Sequence, residues 1–223
     1  MITIPGQLAI KTIHGKNGDF NVGRLATSIG EFVIKNAELD QYDEGKYEGD
    51  FVIAALQGPH QHLVRPTKEN PQLGYGFGWL SNFKPEESVV LHHQLVRRII
   101  ADLSAAELID AQRVFLLGFS QSCALNYRFA FTHSNILRGV IGICGGLPGD
   151  WETSELYQPT PAAVFHLAGT RDEYYGPARV ENYAAQLRTR ARDVEFRSYD
   201  AGHEISPAMR EDIRAWLTFK SEV

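Results

Sequence analysis

The chain has 223 residues, 43% hydrophobic and 22% charged, the balance of a soluble globular protein long enough to bury a large core; a disordered chain, a coiled coil and a disulfide-stapled miniprotein are excluded. A net charge of −5 with scattered Lys and Arg offers no basic stripe to neutralise phosphates, so nucleic acid is not an expected partner. The longest apolar runs fall far short of the roughly 20 residues needed to cross a bilayer, and the opening MITIPGQLAIKTI lacks the basic start and long apolar stretch of a secretion signal, so no membrane span and a cytoplasmic location are expected.

In chain order, Leu8, Ile10 and Thr12 alternate with Ala9, Lys11 and Ile13, which predicts a half-exposed strand, and Asn17-Gly18 marks a turn. Val22, Leu25, Ala26, Ile29 and Val33 lie at helical spacing, but Gly23, Thr27 and Gly30 are poor helix residues, so a helix and a second hairpin both remain open. Residues 37–50 are polar and are expected to form a solvated connection. The apolar run 51–56 predicts a strand covered on both faces.

From residue 51 onward, short β-rich runs alternate with longer helical periods, the signature of a parallel sheet with crossover helices. Residues 85–103 open on a proline and carry Leu91, Leu95, Val96, Ile99, Ile100 and Leu103 at helical spacing. Ser104 and Glu107 form a candidate capping box for a short turn of helix after it. Strands are expected at 114–117, 139–143, 162–167 and 194–199, and helices at 123–131, 178–190 and 207–219. The cysteines, Cys123 and Cys144, sit in apolar contexts without a CxxC partner, which favours two buried free thiols.

Gly118-Phe119-Ser120-Gln121-Ser122 follows the strand at 114–117 and leads at once into a helix. A serine on such a tight turn holds its hydroxyl clear of the backbone, which tolerates only small neighbours two positions away on either side. The helix that starts there would offer the Gln121 N–H and its dipole to an anion forming at a substrate carbonyl. A serine at its free pKa is a poor nucleophile and needs a base with an orienting acid. Asp172 stands just beyond the strand at 162–167 and His203 beyond the strand at 194–199, at the carboxyl ends where open α/β sheets build their sites. The order Ser120, Asp172, His203 is the one used by the α/β-hydrolase fold. Glu173 and Asp200 compete for the acid role; Asp172 is the better placed, because Asp200 would have to fold back to reach the imidazole. His60 and His62 have a spacing that suits a metal, but no third ligand is near, so no metal is expected. His92 and His93, adjacent on a helix, read as surface or packing residues.

GFSQS, together with GTRDEYY and DAGHEIS downstream, resembles the phospholipase/carboxylesterase family of α/β-hydrolases, which includes acyl-protein thioesterases, over about residues 51–217. The resemblance implies an α/β-hydrolase fold with a mostly parallel central sheet and helices on both faces, in a single domain whose first 50 residues are unassigned, with a β-hairpin as one form for them. It makes Ser120 the nucleophile and the Gln121 amide one oxyanion donor; Ser122 and Cys123 stand where the family has two glycines. Gln57-Gly58-Pro59 with Gly78-Trp79 resembles the segment that brings an aromatic residue to the acyl site, and Gly145-Gly146-Leu147-Pro148 the loop after the next strand. The family takes its second oxyanion N–H from a His-Gly-x-x-Gly loop, and His14-Gly15-Lys16-Asn17-Gly18 is the candidate for it, with Lys16 as donor. A β-hairpin turn is the competing reading. Gln57 to Pro59 is a poorer candidate, because proline has no N–H to give.

The expectation is a serine hydrolase of short or medium acyl esters that needs no cofactor and acts through an acyl-enzyme. Trp79, Leu147 and Trp151, with Phe77, Tyr157 and Tyr175, are the candidate substrate-binding residues, each weighed against ordinary core packing. A small-molecule acyl ester is the expected partner, and a homodimer is left open. An acyl thioesterase, and a ligand-binding protein of the same fold without catalysis, are the alternatives.

Overall fold

Backbone pairing joins four strands early in the chain. In the computed structural model, which describes residues 4–15, 18–27, 30–34, 45–49, 52–64 and 74–222, β1 (Ile4–Gly15), β2 (Gly18–Thr27), β3 (Gly30–Ile34) and β4 (Gly45–Gly49) form an antiparallel sheet of order β3-β2-β1-β4. Gly15 pairs with Gly18 and Thr27 with Gly30, so both connections close hairpins. The helical spacing seen from Val22 to Val33 is therefore not used: valine, threonine, phenylalanine and isoleucine favour a pleated surface once a neighbouring strand is present. Nor are residues 37–50 wholly a solvated connection, because Gly45–Gly49 pairs antiparallel with β1 from Leu8 back to Ile4. The strands flanking Lys16 belong to a hairpin, as the competing reading had it; Lys16 itself, proposed as an oxyanion donor, lies outside the described residues.

The chain divides into two compact units, Met1–Ala55 with Ala105–Asp110, and Leu56–Ser104 with Ala111–Val223. The second is built on a parallel sheet of order β10-β9-β8-β7, with β7 at Phe115–Phe119, β8 at Gly139–Ile143, β9 at Ala163–Gly169 and β10 at Val194–Tyr199. All residues of β8 and β9 are buried, as strands covered on both faces must be. Alternate residues divide between two cores. Val140 and Val164 face Val96 of α1 (Pro85–Ala105), Tyr127 and Phe129 of α2 (Gln121–Thr132) and Leu187 of α4 (Tyr183–Arg188). Ile141, Ile143, Phe165 and Leu167 face Met209, Ile213 and Trp216 of α5 (Pro207–Glu222). Each fully buried side chain of this size contributes roughly 1.5–3 kcal/mol by leaving water. Trp216 stacks on Phe165 at 5.6 Å and meets Phe115 edge-on at 5.9 Å; a Cβ at residue 139 would lie 2.8 Å from its ring, which explains the glycine there.

Three further expectations are corrected. Residues 52–58 form no strand, and Ile53 is 74% exposed: an apolar run specifies a strand only where a neighbour accepts its ladder. Helix α1 runs through Ser104, and Glu107 turns away at φ 56°, so the two make no capping box. The helix expected at 178–190 is two short ones, α3 (Pro177–Val180) and α4, broken around Asn182. The antiparallel hairpin of β5 (His60–Val64) and β6 (Gly74–Gly78) was not expected. His60 Nε2 lies 3.0 Å from Ser88 Oγ. Among the described residues no helix is long and apolar enough to cross a membrane.

Candidate active site

Strand β7 delivers Ser120 at its carboxyl end, and α2 begins at the next residue. Ser120 adopts φ 56° and ψ −118°, a left-handed conformation that costs an L-residue about 1–3 kcal/mol and persists only where the surroundings enforce it. They do. Its N–H donates to the Ile143 carbonyl at 2.9 Å, and its carbonyl accepts from the Cys123 N–H at 3.1 Å. The small neighbour the turn requires is explicit at Gly118, where a Cβ would fall 2.8 Å from both Asn126 Nδ2 and the Ser122 carbonyl carbon.

The loops after β9 and β10 bring the partners. His203 Nε2 lies 2.9 Å from Ser120 Oγ, and His203 Nδ1 lies 3.0 Å from Asp172 Oδ2. The Asp172 side chain is fully buried and that of His203 is 17% exposed. Asp172 Oδ1 accepts the backbone N–H groups of Tyr174 at 2.8 Å and Tyr175 at 2.9 Å, a local side-chain-to-backbone turn of the kind aspartate favours. Burial works against its charge, yet the His203 hydrogen bond and the Tyr175 and Tyr174 amides outweigh burial and hold its carboxyl below the usual carboxylate range. Phe119 at 4.8 Å, Tyr174 at 4.8 Å and Tyr175 at 6.1 Å surround the imidazole with aromatic rings. Of the competing acids, Asp200 is tied to exposed Arg171 at 2.6 Å and Glu173 faces solvent.

The thiols are not rival nucleophiles. Both cysteines are free and buried. Burial pushes Cys123 up to about 12, and burial together with the Asp172 charge pushes Cys144 up to about 11, so neither is a thiolate near neutrality.

Gln121, the first residue of α2, offers its backbone N–H at the helix N-terminus beside Ser120. Its side chain accepts the N–H groups of Trp79 and Leu80, which brings the segment after β6 up to the nucleophile. Trp79 is thus next to the site, buried, with its ring 5.0 Å from His92. Leu147 is half-buried against the core on the α2 side of the sheet. Trp151 is 2% exposed, with Phe131 at 4.8 Å, Tyr157 at 5.5 Å and the Arg190 guanidinium at 4.8 Å over its ring. Those neighbours make Trp151 and Tyr157 core residues and leave no open face for an acyl chain. Phe77 is 46% exposed on β6. Sequence reasoning missed the Tyr174 and Tyr175 amides and the aromatic wall around His203; an aspartate two and three residues before a pair of tyrosines, ahead of Gly176-Pro177, was the available signal.

The sequence profile of the phospholipase/carboxylesterase family matches residues 50–221, and one described as protein of unknown function (DUF3275) matches residues 2–63. The chain is 26% identical to acyl-protein thioesterase 1 of Eremothecium gossypii over 224 aligned positions, 96% of this chain and 88% of that protein. Among solved structures, a Bacillus cereus carboxylesterase superposes with a TM-score of 0.55 at 17% identity, covering 74% of this chain and 73% of that one. A single-substitution variant of Arabidopsis thaliana SOBER1 gives 0.53 at 24% identity, covering 60% of this chain and 66% of that one, just under two thirds of its length. At these identities the structural likeness speaks for the fold.

Proposed function

This chain belongs to the phospholipase/carboxylesterase family of hydrolases, and from that premise we propose that it cleaves carboxylic esters of short or medium acyl chains through an acyl-enzyme on Ser120. The observation that carries the reading is the unbroken succession from Ser120 Oγ to His203 Nε2 at 2.9 Å and from His203 Nδ1 to Asp172 Oδ2 at 3.0 Å.

In this reading Ser120 Oγ attacks the acyl carbonyl while His203 Nε2 takes its proton. Asp172 holds Nδ1–H, which fixes the tautomer and stabilises the imidazolium. The Gln121 N–H and the N-terminal dipole of α2 stabilise the oxyanion. The tetrahedral intermediate collapses as His203 delivers its proton to the leaving alcohol, and water, activated by the same imidazole, then releases the acid and restores Ser120.

A thioester in place of the oxyester is the second reading, favoured by the thioesterase named among the relatives; the same three groups serve both. The test is a panel of p-nitrophenyl esters and acyl thioesters turned over by the wild type and by Ser120→Ala, with a fluorophosphonate adduct located by mass spectrometry. Turnover that is lost in S120A, with the adduct on Ser120, is the expected result. Equal rates for the two proteins would leave a non-catalytic ligand-binding protein of this fold.

A further inference from the structure

Trp79 and Leu80 both aim their backbone N–H groups at one atom, Gln121 Oε1, at 2.8 and 3.0 Å, from about 40 residues earlier in the chain. One carbonyl oxygen has two lone pairs, and here both are used. We propose that the Gln121 side chain is a positioning residue: its carbonyl latches the Gly78–Leu80 segment to the nucleophile turn. The latch fixes the wall that the acyl group meets and steadies the peptide whose N–H faces the oxyanion. The proposal rests on the esterase reading above and adds to it a role for a side chain that the reaction does not touch.

The surroundings are shaped for this contact. A Cβ at residue 58 would lie 2.6 Å from the Gly78 carbonyl carbon, so glycine there lets the two backbones close up, while the space above Gly78 opens onto Gln121 Oε1 at 3.4 Å. A second attachment holds the same segment to the same helix. The buried Trp79 ring meets His92 edge-on at 5.0 Å, and His92 Nε2 lies 3.1 Å from Asn126 Oδ1, on the turn of α2 after Gln121. Asn126 Nδ2 in turn packs where a Cβ on Gly118 would stand. Because this inner attachment is buried and Gln121 is exposed, loss of the outer latch frees two amides without unfolding the segment.

The experiment compares wild type, Gln121→Met and Gln121→Glu. Methionine matches the shape of glutamine but has no carbonyl; glutamate keeps an oxygen in place. Amide hydrogen exchange at Trp79 and Leu80 is read alongside kcat and KM for acetyl, butyryl and octanoyl p-nitrophenyl esters. In Q121M those two amides exchange at least about tenfold faster, kcat falls about tenfold, and the preference among acyl lengths flattens. Q121E keeps the amides protected and keeps the acyl preference, while its charge beside the forming oxyanion lowers kcat. Wild-type exchange in Q121M, or a wild-type kcat and acyl profile despite faster exchange, overturns the proposal. A wild type that neither turns over esters nor takes up fluorophosphonate on Ser120 defeats the esterase reading and the catalytic role of the latch with it, while the exchange data still decide whether the latch exists.

Discussion

His203 Nε2 stands 2.9 Å from Ser120 Oγ across 83 residues of chain. Closing a flexible loop of that length costs about 4 kcal/mol in chain entropy before any contact is made, so the pair cannot be its own cause. The parallel sheet sets it: Ser120 follows β7, Asp172 follows β9 and His203 follows β10, and all three strands end on the same side. The burial that fixes β8 and β9 between two helical layers therefore also fixes the distances of the reacting groups.

The first prediction concerns the buried acid. In Asp172→Asn the amide oxygen can still accept the Tyr174 and Tyr175 N–H groups, but the NH2 then faces His203 Nδ1 and selects the tautomer with its proton on the wrong nitrogen. Turnover of p-nitrophenyl butyrate is expected to fall on the order of 10⁴-fold, with little change in melting temperature. Asp200→Asn, which breaks only an exposed pair with Arg171, is expected to leave turnover within about twofold. A D172N rate within tenfold of the wild type would assign the orienting role elsewhere.

The second concerns the turn. Gly118→Ala places a methyl group 2.8 Å from Asn126 Nδ2 and from the Ser122 backbone; backbone cannot yield as a flexible side chain would. A loss of about 1–3 kcal/mol is expected in urea denaturation, with activity lost in proportion as Ser120 is displaced. Unchanged stability in G118A would mean that the turn is looser than its contacts imply.

The parallel core was legible in the sequence because its central strands are buried on both faces: 139–143 and 162–167 stand out as apolar runs between helical periods, and the three reactive residues each follow an expected strand. Strand β4 was not. Lys46, Tyr47 and Glu48 carry no apolar pattern, and what makes them a strand is backbone pairing to β1. The run at 51–56 misled for the opposite reason, since apolarity records a preference for burial and not the presence of a partner. In β6 the alternate glycines of GYGFG lower strand propensity, and what makes the segment a strand is its antiparallel pairing to β5. The contact from Gln121 to Trp79 and Leu80 joins a side chain to two distant backbone amides, and no residue pattern encodes such a pair.

The third prediction lies behind the sheet. Tyr127 OH is 2.8 Å from His166 Nδ1, both groups are fully buried, and His166 Nε2 has no hydrogen-bond partner among the described residues. Tyr127→Phe removes this hydrogen bond from a buried imidazole and is expected to cost about 1–3 kcal/mol. Calorimetry of the variant measures it, and a stability equal to the wild type would show that solvent reaches the ring. The same hydroxyl fills the space where a Cβ on Gly142 would stand, so Gly142→Ala is expected to be the more damaging change of the two.

The last prediction is the acid side of stability. Burial lowers His166, His92 and His93 each to about 4; in His92 the Asn126 hydrogen bond opposes the fall, and in His93 the neighbouring His92, His133 and Arg128 deepen it. In the unfolded chain these imidazoles titrate near their ordinary 6.5. Between about pH 6.5 and 4 the unfolded state binds more protons than the folded one, so stability is complete above that window and falls as pH drops through it. For fully buried His166 alone the loss approaches about 3 kcal/mol at the lower end. The Asp172 carboxyl, held below its ordinary value, loses stability in the same direction as it protonates. Urea midpoints measured from pH 7.5 down to 4.5 are expected to fall steadily below pH 6.5, and His166→Asn is expected to flatten part of that slope even where it lowers stability at neutral pH. A midpoint independent of pH across this range would mean that the three rings are hydrated in solution, and with them the core around α1, α2 and β9 on which the position of Ser120 depends.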